Sequence, residues 1–449
     1  MTKQTICFFP IVHYQAELFC KLANTLLGAG IINKVIFVCP SVSSYEYVKD
    51  KFPCYLTADL LKHADPSKDV QNLSITTEWI LDLFEIRKLK VEERYYCKLR
   101  QQSVGNIQQE AISYCTIWDS FLSIHEIDTL FVWNGYIVPQ QTLIAFARRK
   151  KIKVLYFENG YKSDTFVIDP VGINAKSSFK TLLSTSRSTA SYSTEKKIES
   201  VTPPKKINNY LRLRSKIKLY QFKYRNVALF RYEFSQPVHV KLLHLLESFL
   251  QLQKLSPKEP YIFFPLQVIT DSQLIENYGQ DQSEVVEQIA LLLDQINVER
   301  DRPIEMIVKE HPRQETRRYM NELRSRIQSS YIKFTRLDRT NDLIRNAAAV
   351  ITINSSVGYQ ALKMKKNVFV LGETIYEGPG LGMKVDDLNE IKKQLLQIID
   401  NGDALIDSSK VNEFVERYEK FCYSFSYTDK TSQKIVDNIK YLLDIGGAQ

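Results

Sequence analysis

The sequence predicts an α/β protein with two doubly wound, Rossmann-type domains facing a central cleft, together with additional helices. At 449 residues the chain is too long for one ordinary hydrophobic core. In both halves, short apolar runs of strand length alternate with segments of helical spacing, which is typical of parallel sheets. Polar residues directly follow several of these runs, where the carboxyl ends of parallel strands form a binding edge.

The elements divide the chain into four regions. Residues 1–200 are predicted to form an N-terminal α/β domain, residues 201–258 a basic helical linker, and residues 259–410 a C-terminal α/β domain. Residues 411–449 are predicted to form terminal helices, some of which could cross back over the first domain. Predicted strands include Lys34–Cys39, Thr129–Asn134, Lys153–Phe157, Thr165–Ile168, Ile304–Lys309, Ala349–Ile353 and Asn367–Gly372, and predicted helices Ala16–Leu27, Pro139–Lys151 and Ser283–Val298.

Composition indicates the cellular compartment and argues against a metal site, but it does not identify a partner. The net charge of +9 permits anionic partners such as nucleotides, acidic sugars, nucleic acid or anionic lipid, and selects none of them. The seven cysteines are scattered without a CxxC pair, which indicates a reducing cytoplasm and small buried side chains. The six histidines show no metal-ligand spacing, so no metal site is expected.

Contact with a membrane is expected to be peripheral. No signal peptide and no apolar run of about 20 residues is visible, which favours a cytoplasmic protein. Residues 205–225 interleave lysines and arginines with aromatic residues. This segment fits a solvated helix that connects the domains, or a cationic helix on an anionic membrane surface. Nucleic acid ranks below both, and no nucleic-acid partner is expected.

In the N-terminal half, three predicted strands end in polar residues. These are His13, Asn134, and Glu158 with Asn159, and all should share one edge of the sheet. A carboxylate such as Glu158, followed closely by Gly160, is placed where a nucleophile or base could act. The alternative is that Glu158 caps the next turn or pairs with a lysine.

A turn-forming loop follows the strand Thr165–Ile168. It runs from Asp169 to Ser178 and contains Asn174. Its Asp, Asn and Ser side chains could bind the hydroxyl groups of a polyol. Ordinary loop chemistry is the alternative, and it already explains the Asp-Pro and Gly positions.

The C-terminal half contains two adjacent patterns that suit a phosphate. The strand Ile304–Lys309 leads into Glu310, His311 and Pro312, so that a lysine and a histidine lie at a strand end. Asn354, Ser355 and Ser356 stand between a strand and a helix, where free N–H groups and hydroxyls bind anions. A solvated basic turn and simple helix capping are the alternatives.

These residues together resemble the bacterial capsule-polysaccharide biosynthesis family, which includes β-Kdo transferases. The resemblance covers about residues 130–380, with five motifs in the family's order. The motifs are Glu158-Asn-Gly, Asp169-Pro-x-Gly-x-Asn174, Pro265-Leu-Gln-Val with Asp271-Ser-Gln, Lys309-x-His-Pro312, and Asn354-Ser-Ser-x-Gly-x-x-Ala-Leu362.

The resemblance implies a GT-B glycosyltransferase that transfers Kdo, or a similar ulosonic acid, from a CMP-sugar with retention and without a metal or other cofactor. The acceptor would be a saccharide or glycolipid held by the N-terminal domain, where the expected acceptor- or sugar-binding residues are His13, Asn134, Asn159 and Asn174. The resemblance assigns Lys309, His311, Ser355 and Ser356 to the CMP phosphate, and Gln267, Asp271 and Gln273 to the lining of the donor site, to which Asn354 is also expected to belong.

One position departs from the family's pattern. Several similar Kdo transferase modules carry an acidic pair before the glycine, where Glu158-Asn159 stands here. Asn159 cannot replace such an acid as a nucleophile, so Glu158 or Asp169 is the expected catalytic carboxylate, unless the chain transfers by another mechanism or to a different sugar. The alternatives are a transferase that uses another CMP-ulosonate or a UDP-sugar, and a non-catalytic capsule assembly or export factor that binds glycolipid.

Overall fold

The structure, a computed structural model, describes residues 4–62, 104–184, 261–268, 271–311 and 317–445. The chain divides into two compact units. Unit 1 comprises Met1–Phe234 with Lys420–Gln449, and unit 2 comprises Ser235–Glu419. The ranges 1–200, 201–258, 259–410 and 411–449 drawn from the sequence stay predictions, because residues 185–260, which hold the linker, lie outside the described part of the chain.

Unit 1 is built from an alternation of strands and helices. Its strands are β1 (Thr5–Phe9), β2 (Lys34–Cys39), β3 (Cys54–Leu56), β4 (Thr129–Trp133), β5 (Lys153–Asn159), β6 (Thr165–Asp169) and β13 (Tyr423–Ser424). Its helices are α1 (His13–Gly28), α2 (Val42–Val48), α3 (Thr57–Leu61), α4 (Val104–Ile124), α5 (Val138–Arg149), α6 (Phe179–Ser184) and α14 (Asp429–Ile445), with a 3₁₀ turn at Asn174–Lys176.

The unit 1 sheet has the strand order β13-β6-β5-β4-β1-β2-β3. The five strands from β3 to β5 are parallel, and the order reverses between β1 and β4, which makes that point the switch point of the sheet. The last two strands depart from the predicted parallel sheet. β6 pairs antiparallel with β5 because only five residues separate the strands, too few for a crossover, and β13 pairs antiparallel with β6.

Helices cover both faces of this sheet. Apolar residues of α1 and α14 pack on one face, and those of α4 and α5 pack on the other. Trp118 of α4 is fully buried, and its Nε1 donates to Thr142 Oγ1 of α5 at 2.8 Å. The C-terminal residues thus belong to the core of the first sheet.

Unit 2 repeats the same alternation. Its strands are β7 (Tyr261–Pro265), β8 (Glu305–Lys309), β9 (Ile332–Thr335), β10 (Ala347–Thr352), β11 (Asn367–Val370) and β12 (Met383–Lys384). Its helices are α7 (Ser272–Asn277), α8 (Gln282–Asn297), α9 (Arg317–Arg326), α10 (Thr340–Asn346), α11 (Ser356–Lys363), α12 (Leu388–Asn401) and α13 (Ser408–Phe421).

The unit 2 sheet has the order β12-β11-β10-β7-β8-β9, and every described pairing in it is parallel. Counted from β7, this is the order 3-2-1-4-5-6 of a Rossmann sheet, with its switch point between β7 and β10. Strands β7, β8, β10 and β11 are almost wholly buried, as expected when helices cover a parallel sheet. The predicted α/β, GT-B-like class is confirmed as two Rossmann-type sheets.

Most element predictions are confirmed to within a few residues, but the end of the first strand was wrong. His13 was expected at a strand end, whereas β1 ends at Phe9 and His13 is the first residue of α1. Pro10 cannot continue the ladder, and the side chain of Gln15 accepts from the amides of Ile11 and Val12, which starts the helix early.

Three further expectations concern the cysteines, membrane-spanning helices and the basic segment. Five of the six described cysteines are buried and all six are free thiols, as predicted for small buried side chains. Among the described helices, none combines the length and apolarity that crossing a membrane requires. The basic segment 205–225 lies outside the described residues.

Candidate functional site

Glu158 and Asn134 meet at the carboxyl edge of the unit 1 sheet. They end the neighbouring parallel strands β5 and β4, whose register places Trp133 beside Phe157. Asn134 Nδ2 donates to Glu158 Oε2 at 2.7 Å, and the Asn159 amide donates to Glu158 Oε1 at 2.7 Å. The half-buried carboxylate of Glu158 is therefore held in a fixed orientation at the rim of the sheet.

Asn159 extends this cluster outward to a tyrosine. Its side chain is exposed, and Nδ2 lies 3.1 Å from Glu158 Oε1 and 3.2 Å from Tyr14 Oη. The ring of Tyr14, on the first turn of α1, makes edge contacts with Trp133 and Phe425. The sequence did not single out Tyr14, because only the fold brings α1 next to the end of β5.

The turn after β4 is fixed by a buried glutamine. Asn134 and Gly135 both adopt positive φ, of 67° and 84°, which turns the chain sharply off the strand. Gln140 Oε1 accepts from the Gly135 amide at 3.2 Å, and Gln140 Nε2 donates to Phe9 O at 2.9 Å. This fully buried side chain ties the ends of β1 and β4 together at the switch point and thereby positions Asn134.

His13 is placed on α1, one residue before Tyr14. Its half-buried ring packs edge-on against Tyr47, and Nδ1 lies 3.4 Å from the carbonyl oxygen of Ser43. Burial is the largest influence on the pKa of His13 and lowers it below the ordinary value, whereas the hydrogen bond with Ser43 opposes this shift. The neutral imidazole is favoured, which suits binding of an uncharged hydroxyl group.

Asp169 organises a loop. It is fully buried in β6, and the antiparallel register pairs it with Tyr156, three residues back from the end of β5. Its Oδ1 accepts from the amides of Val171 and Gly172, and its Oδ2 accepts from the amide and hydroxyl of Ser178 and the hydroxyl of Ser177, all between 2.6 and 3.1 Å. Both oxygens are thus occupied by the chain.

Asn174 belongs to the loop that Asp169 holds. It starts the 3₁₀ turn Asn174–Lys176 with φ of 54°, and its carbonyl accepts from the Ser177 amide at 2.9 Å. A left-handed backbone is a common reason for asparagine at such a position. The described loop therefore gives Asn174 a conformational role, and its predicted contact with a sugar stays a prediction.

At the end of β8 in unit 2, the side chains of Lys309 and Glu310 are engaged within the fold. Lys309 is buried, and its Nζ donates to the carbonyl of Arg336 at 2.8 Å. Burial lowers the pKa of Lys309 below the ordinary value. Glu310 is also buried and pairs with Arg324. His311 follows and is half-buried, and residues 312–316 after it lie outside the described part of the chain.

The switch point of unit 2 is crossed by a pair of buried amides. Gln267, two residues after β7, donates from Nε2 to Asn354 Oδ1 at 2.9 Å, and its Oε1 accepts from the Asn354 amide at 3.3 Å. Asn354 Nδ2 donates to the carbonyl of Gln273 at 2.8 Å. Gln267 and Asn354 are each less than 5% exposed, so they fix the two strand ends to each other.

Asp271 and Gln273 begin the short helix α7 beside this pair. Asp271 is the N-cap, and its Oδ1 accepts from the Gln273 amide at 2.9 Å. Desolvation raises the pKa of Asp271, and the hydrogen bonds from Gln273 and Gln267 oppose that rise. Gln273 Oε1 accepts from Asn277 Nδ2 at 2.7 Å, one turn further along α7.

The two serines after Asn354 have different positions. Ser355 is the N-cap of α11, and its Oγ accepts from the Val357 amide at 3.2 Å. Ser356 is exposed on the first turn of that helix. Tyr376 Oη donates to the Ser355 carbonyl at 2.6 Å, and Gly358 leaves room for the Tyr376 ring. Capping accounts for Ser355, and exposed Ser356 adds a hydroxyl to a helix N-terminus at the switch point.

The structure brings together only some of the candidate residues within each unit. The expected neighbouring position of the strand ends at Lys309 and Asn354 was wrong, because β7 lies between β8 and β10. Asn134, Glu158 and Asn159 form one cluster in unit 1, from which buried Asp169 is separate. In unit 2, a single hydrogen-bond network leads directly to the start of α11. Its members are Gln267, Asp271, Gln273 and Asn354.

Comparison with known proteins places the chain among proteins of surface polysaccharide synthesis. The family model described as "Capsule polysaccharide biosynthesis protein" matches residues 131–395, more than half of the chain. A curated relative, Protein FixF of Sinorhizobium fredii, is 28% identical over 279 residues. The aligned region is 61% of this chain and only 56% of that relative.

Solved structures give low similarity scores. Thermosulfurimonas dismutans KpsC, a beta Kdo 2,4 transferase, has 16% identity and a TM-score of 0.38, with 71% of this chain and 87% of that chain covered. The UDP-GlcNAc 2-epimerase of Neisseria meningitidis has 13% identity and a TM-score of 0.35, with 98% and 99% covered. The description of the fold therefore depends on the strand order and pairing in this structure, and not on these comparisons.

Proposed function

Because the chain belongs to the capsule polysaccharide biosynthesis family, we propose that it is a glycosyltransferase that moves Kdo, or a similar ulosonic acid, from a CMP-sugar to a saccharide or glycolipid acceptor. The transfer proceeds with retention of configuration. The product belongs to a capsule or a related surface polysaccharide.

The observation that carries the proposal is the switch point of unit 2. Ser355 and Ser356 open α11 directly after β10, next to the strand β7. A helix N-terminus at the switch point of a Rossmann sheet favours an anionic group, through its amides and its dipole. In the proposed donor site, the CMP phosphate lies at this terminus, and His311 with Lys309 supplies further positive charge or donors at the end of β8.

Unit 1 supplies the chemistry in this proposal. The carboxylate of Glu158 is oriented by Asn134 and by the Asn159 amide, at 2.7 Å each. An oriented carboxylate can act as the nucleophile of a retaining transfer or as the base that accepts a hydroxyl proton. Asp169 is the weaker candidate, because five hydrogen bonds from its own loop occupy both oxygens.

The acceptor is expected to bind beside Glu158. His13, Asn134, Asn159 and Tyr14 line or adjoin this rim, and their groups hydrogen-bond hydroxyls. His13 is favoured in its neutral form, and with Nδ1–H donating to the Ser43 carbonyl its Nε2 remains as an acceptor for a hydroxyl group. Together they form a polar surface that suits a saccharide.

Turnover tests the proposal directly. The full chain is incubated with CMP-Kdo, other CMP-ulosonic acids and candidate saccharide acceptors, and release of CMP is followed with and without EDTA. CMP release that depends on the acceptor and persists in EDTA is expected. No turnover with any CMP-ulosonic acid would exclude the transferase, and loss of turnover in EDTA would exclude the metal-independent route.

The choice between CMP and UDP donors needs a separate measurement. Thermal unfolding of the chain with CMP, UMP, CDP or UDP compares their affinities, since a ligand that binds only the folded state raises its stability. We expect CMP to give the largest shift. A larger shift with UDP would favour the alternative, a UDP-sugar transferase.

A glycolipid acceptor would require contact with the inner face of the membrane. The basic, aromatic segment 205–225 motivates this part of the proposal. Flotation with anionic liposomes should recover the chain, and the pair Lys216→Glu and Lys218→Glu should weaken recovery. Unchanged flotation of the pair would remove this role. A chain that floats but has no turnover would instead be a non-catalytic assembly or export factor.

A further inference from the structure

A cavity of about 320 Å³ opens in unit 2 at the carboxyl ends of β11 and β12. Leu371 and Glu373 line it after β11, Lys384 and Val385 line it at the end of β12, and Asn277 lines it from the last turn of α7. All the lining residues belong to unit 2. Its wall is mainly polar, with one aromatic ring, that of Tyr278.

Asn277 of this wall and Gln273, which does not line the cavity, form an amide pair that is incompletely hydrogen-bonded. Asn277 is 5% exposed, and its Nδ2 donates to Gln273 Oε1 at 2.7 Å. Within the described residues, neither Asn277 Oδ1 nor Gln273 Nε2 has a partner. A buried polar group without a partner costs free energy, so such groups commonly mark the place of a ligand or an ordered water.

The chemistry of this pair does not depend on how the amides are assigned. One hydrogen bond between two amides uses one N–H and one carbonyl oxygen, whichever side chain donates. One carbonyl acceptor and one N–H donor therefore always remain. Asn277, the member of the pair that lines the cavity, can therefore present either its carbonyl oxygen or its N–H group to a ligand.

The cavity adjoins the switch-point network of the proposed donor site. Asn354, the residue before Ser355, donates to the carbonyl of Gln273. Asn277 lies four residues further along α7, which is about 6 Å at the rise of a helix. Its carbonyl accepts from the Glu373 amide at 2.9 Å. A nucleotide with its phosphate at the start of α11 can thus reach the cavity with its base.

We propose that this cavity binds the base of the donor nucleotide, with Asn277 and Glu373 of its wall recognising an edge that carries an amine beside an unprotonated ring nitrogen, as cytosine does. The inference rests on the proposed nucleotide-sugar donor. The ring of Tyr278 adds an aromatic surface, and aromatic rings stack favourably on bases.

Glu373 determines the preference for cytosine in this arrangement. Its exposed carboxylate lines the cavity next to Asn277 and accepts hydrogen bonds only. It can accept from the amine of cytosine, and it repels the carbonyl oxygen that uracil carries at the same place. Lys384 does not reverse this preference, because its Nζ donates to the Leu371 carbonyl and pairs with Asp386.

Isothermal titration of the full chain with CMP, UMP and ribose 5-phosphate tests the assignment. Glu373→Gln should weaken the binding of CMP about tenfold, since a hydrogen bond to a charged group is lost. The difference between the affinities for CMP and UMP should therefore shrink or disappear. Ribose 5-phosphate, which has no base, should bind both proteins equally. Glu390→Gln is the matched control, because Glu390 is exposed in the same unit outside the cavity.

A second variant tests the buried pair. Asn277→Asp replaces the amide at the wall by a group that only accepts hydrogen bonds, so CMP should bind at least about tenfold more weakly while ribose 5-phosphate is unaffected. His311→Ala should instead weaken all three ligands. If the wild type binds CMP and both cavity variants keep its affinity, the base lies elsewhere and the donor proposal stands. If the wild type binds no nucleotide, the donor proposal itself fails.

Discussion

Replacing Asp169 by asparagine separates a structural carboxylate from a catalytic one. Asp169 is fully buried and accepts five hydrogen bonds from residues 171–178. Three of the donors are backbone amides, which cannot turn away, and two are hydroxyls, which can rotate to accept. An asparagine NH₂ group in either oxygen position must therefore face at least one amide donor.

The cost follows from which oxygen is replaced. With the NH₂ group in the Oδ2 position, the Ser178 amide loses its acceptor, and the two hydroxyls can reorient. In the Oδ1 position, the amides of Val171 and Gly172 both lose theirs. A hydrogen bond to a charged group contributes about 1.5–3 kcal/mol, so Asp169→Asn should lower the free energy of unfolding by about 2–3 kcal/mol at the least.

Urea denaturation at neutral pH, followed by circular dichroism, measures this change. Asp164→Asn is the control, because Asp164 is exposed and asparagine also tolerates its left-handed backbone, so a change within about 0.5 kcal/mol is expected. If Asp169→Asn unfolds like the wild type but loses turnover, Asp169 is catalytic and the reasoning is refuted.

Two further variants test unit 2. Burial lowers the pKa of Lys309 in the folded chain below its ordinary value of 10.5. At a pH between the folded and the unfolded pKa, the unfolded chain binds more protons, so the free energy of unfolding should rise with pH. Urea titrations across this pH range should show no such rise for Lys309→Met. An identical rise in the wild type and the variant would contradict the prediction. Gly358→Ala would place a methyl group 2.5 Å from Tyr376 Oη, and about 1–3 kcal/mol should be lost in thermal unfolding; an unchanged midpoint would show that the buried tyrosine can move.

Residue patterns predicted the parts of the fold that depend on local hydrophobicity. The apolar runs before Lys309 and Asn354 are strands because their side chains are buried on both faces of a parallel sheet. The meeting of Asn134 with Glu158 was predictable too, since neighbouring parallel strands end at one edge. The position of Ser355 at a helix start followed from its residue type alone.

Features that depend on long-range packing were not predictable in this way. Gln140 hydrogen-bonds Phe9 across 131 residues of sequence, and no local pattern marks it. The antiparallel direction of β6 follows from a five-residue connection, which places Asp169 below the rim and inside a loop. The cavity at Asn277 arises where α7 meets the strand end at Glu373, and neither segment indicates it alone.

Turnover of Glu158→Gln tests the central claim most directly. Glutamine keeps the size of the side chain and an oxygen that can accept from Asn134 or Asn159, but it removes the charge. Glu126→Gln is the control, since Glu126 is exposed in unit 1. With CMP-Kdo and an acceptor, kcat of Glu158→Gln should fall at least about 10²-fold, with CMP affinity unchanged. Wild-type turnover by this variant would contradict the assignment of the chemistry to Glu158.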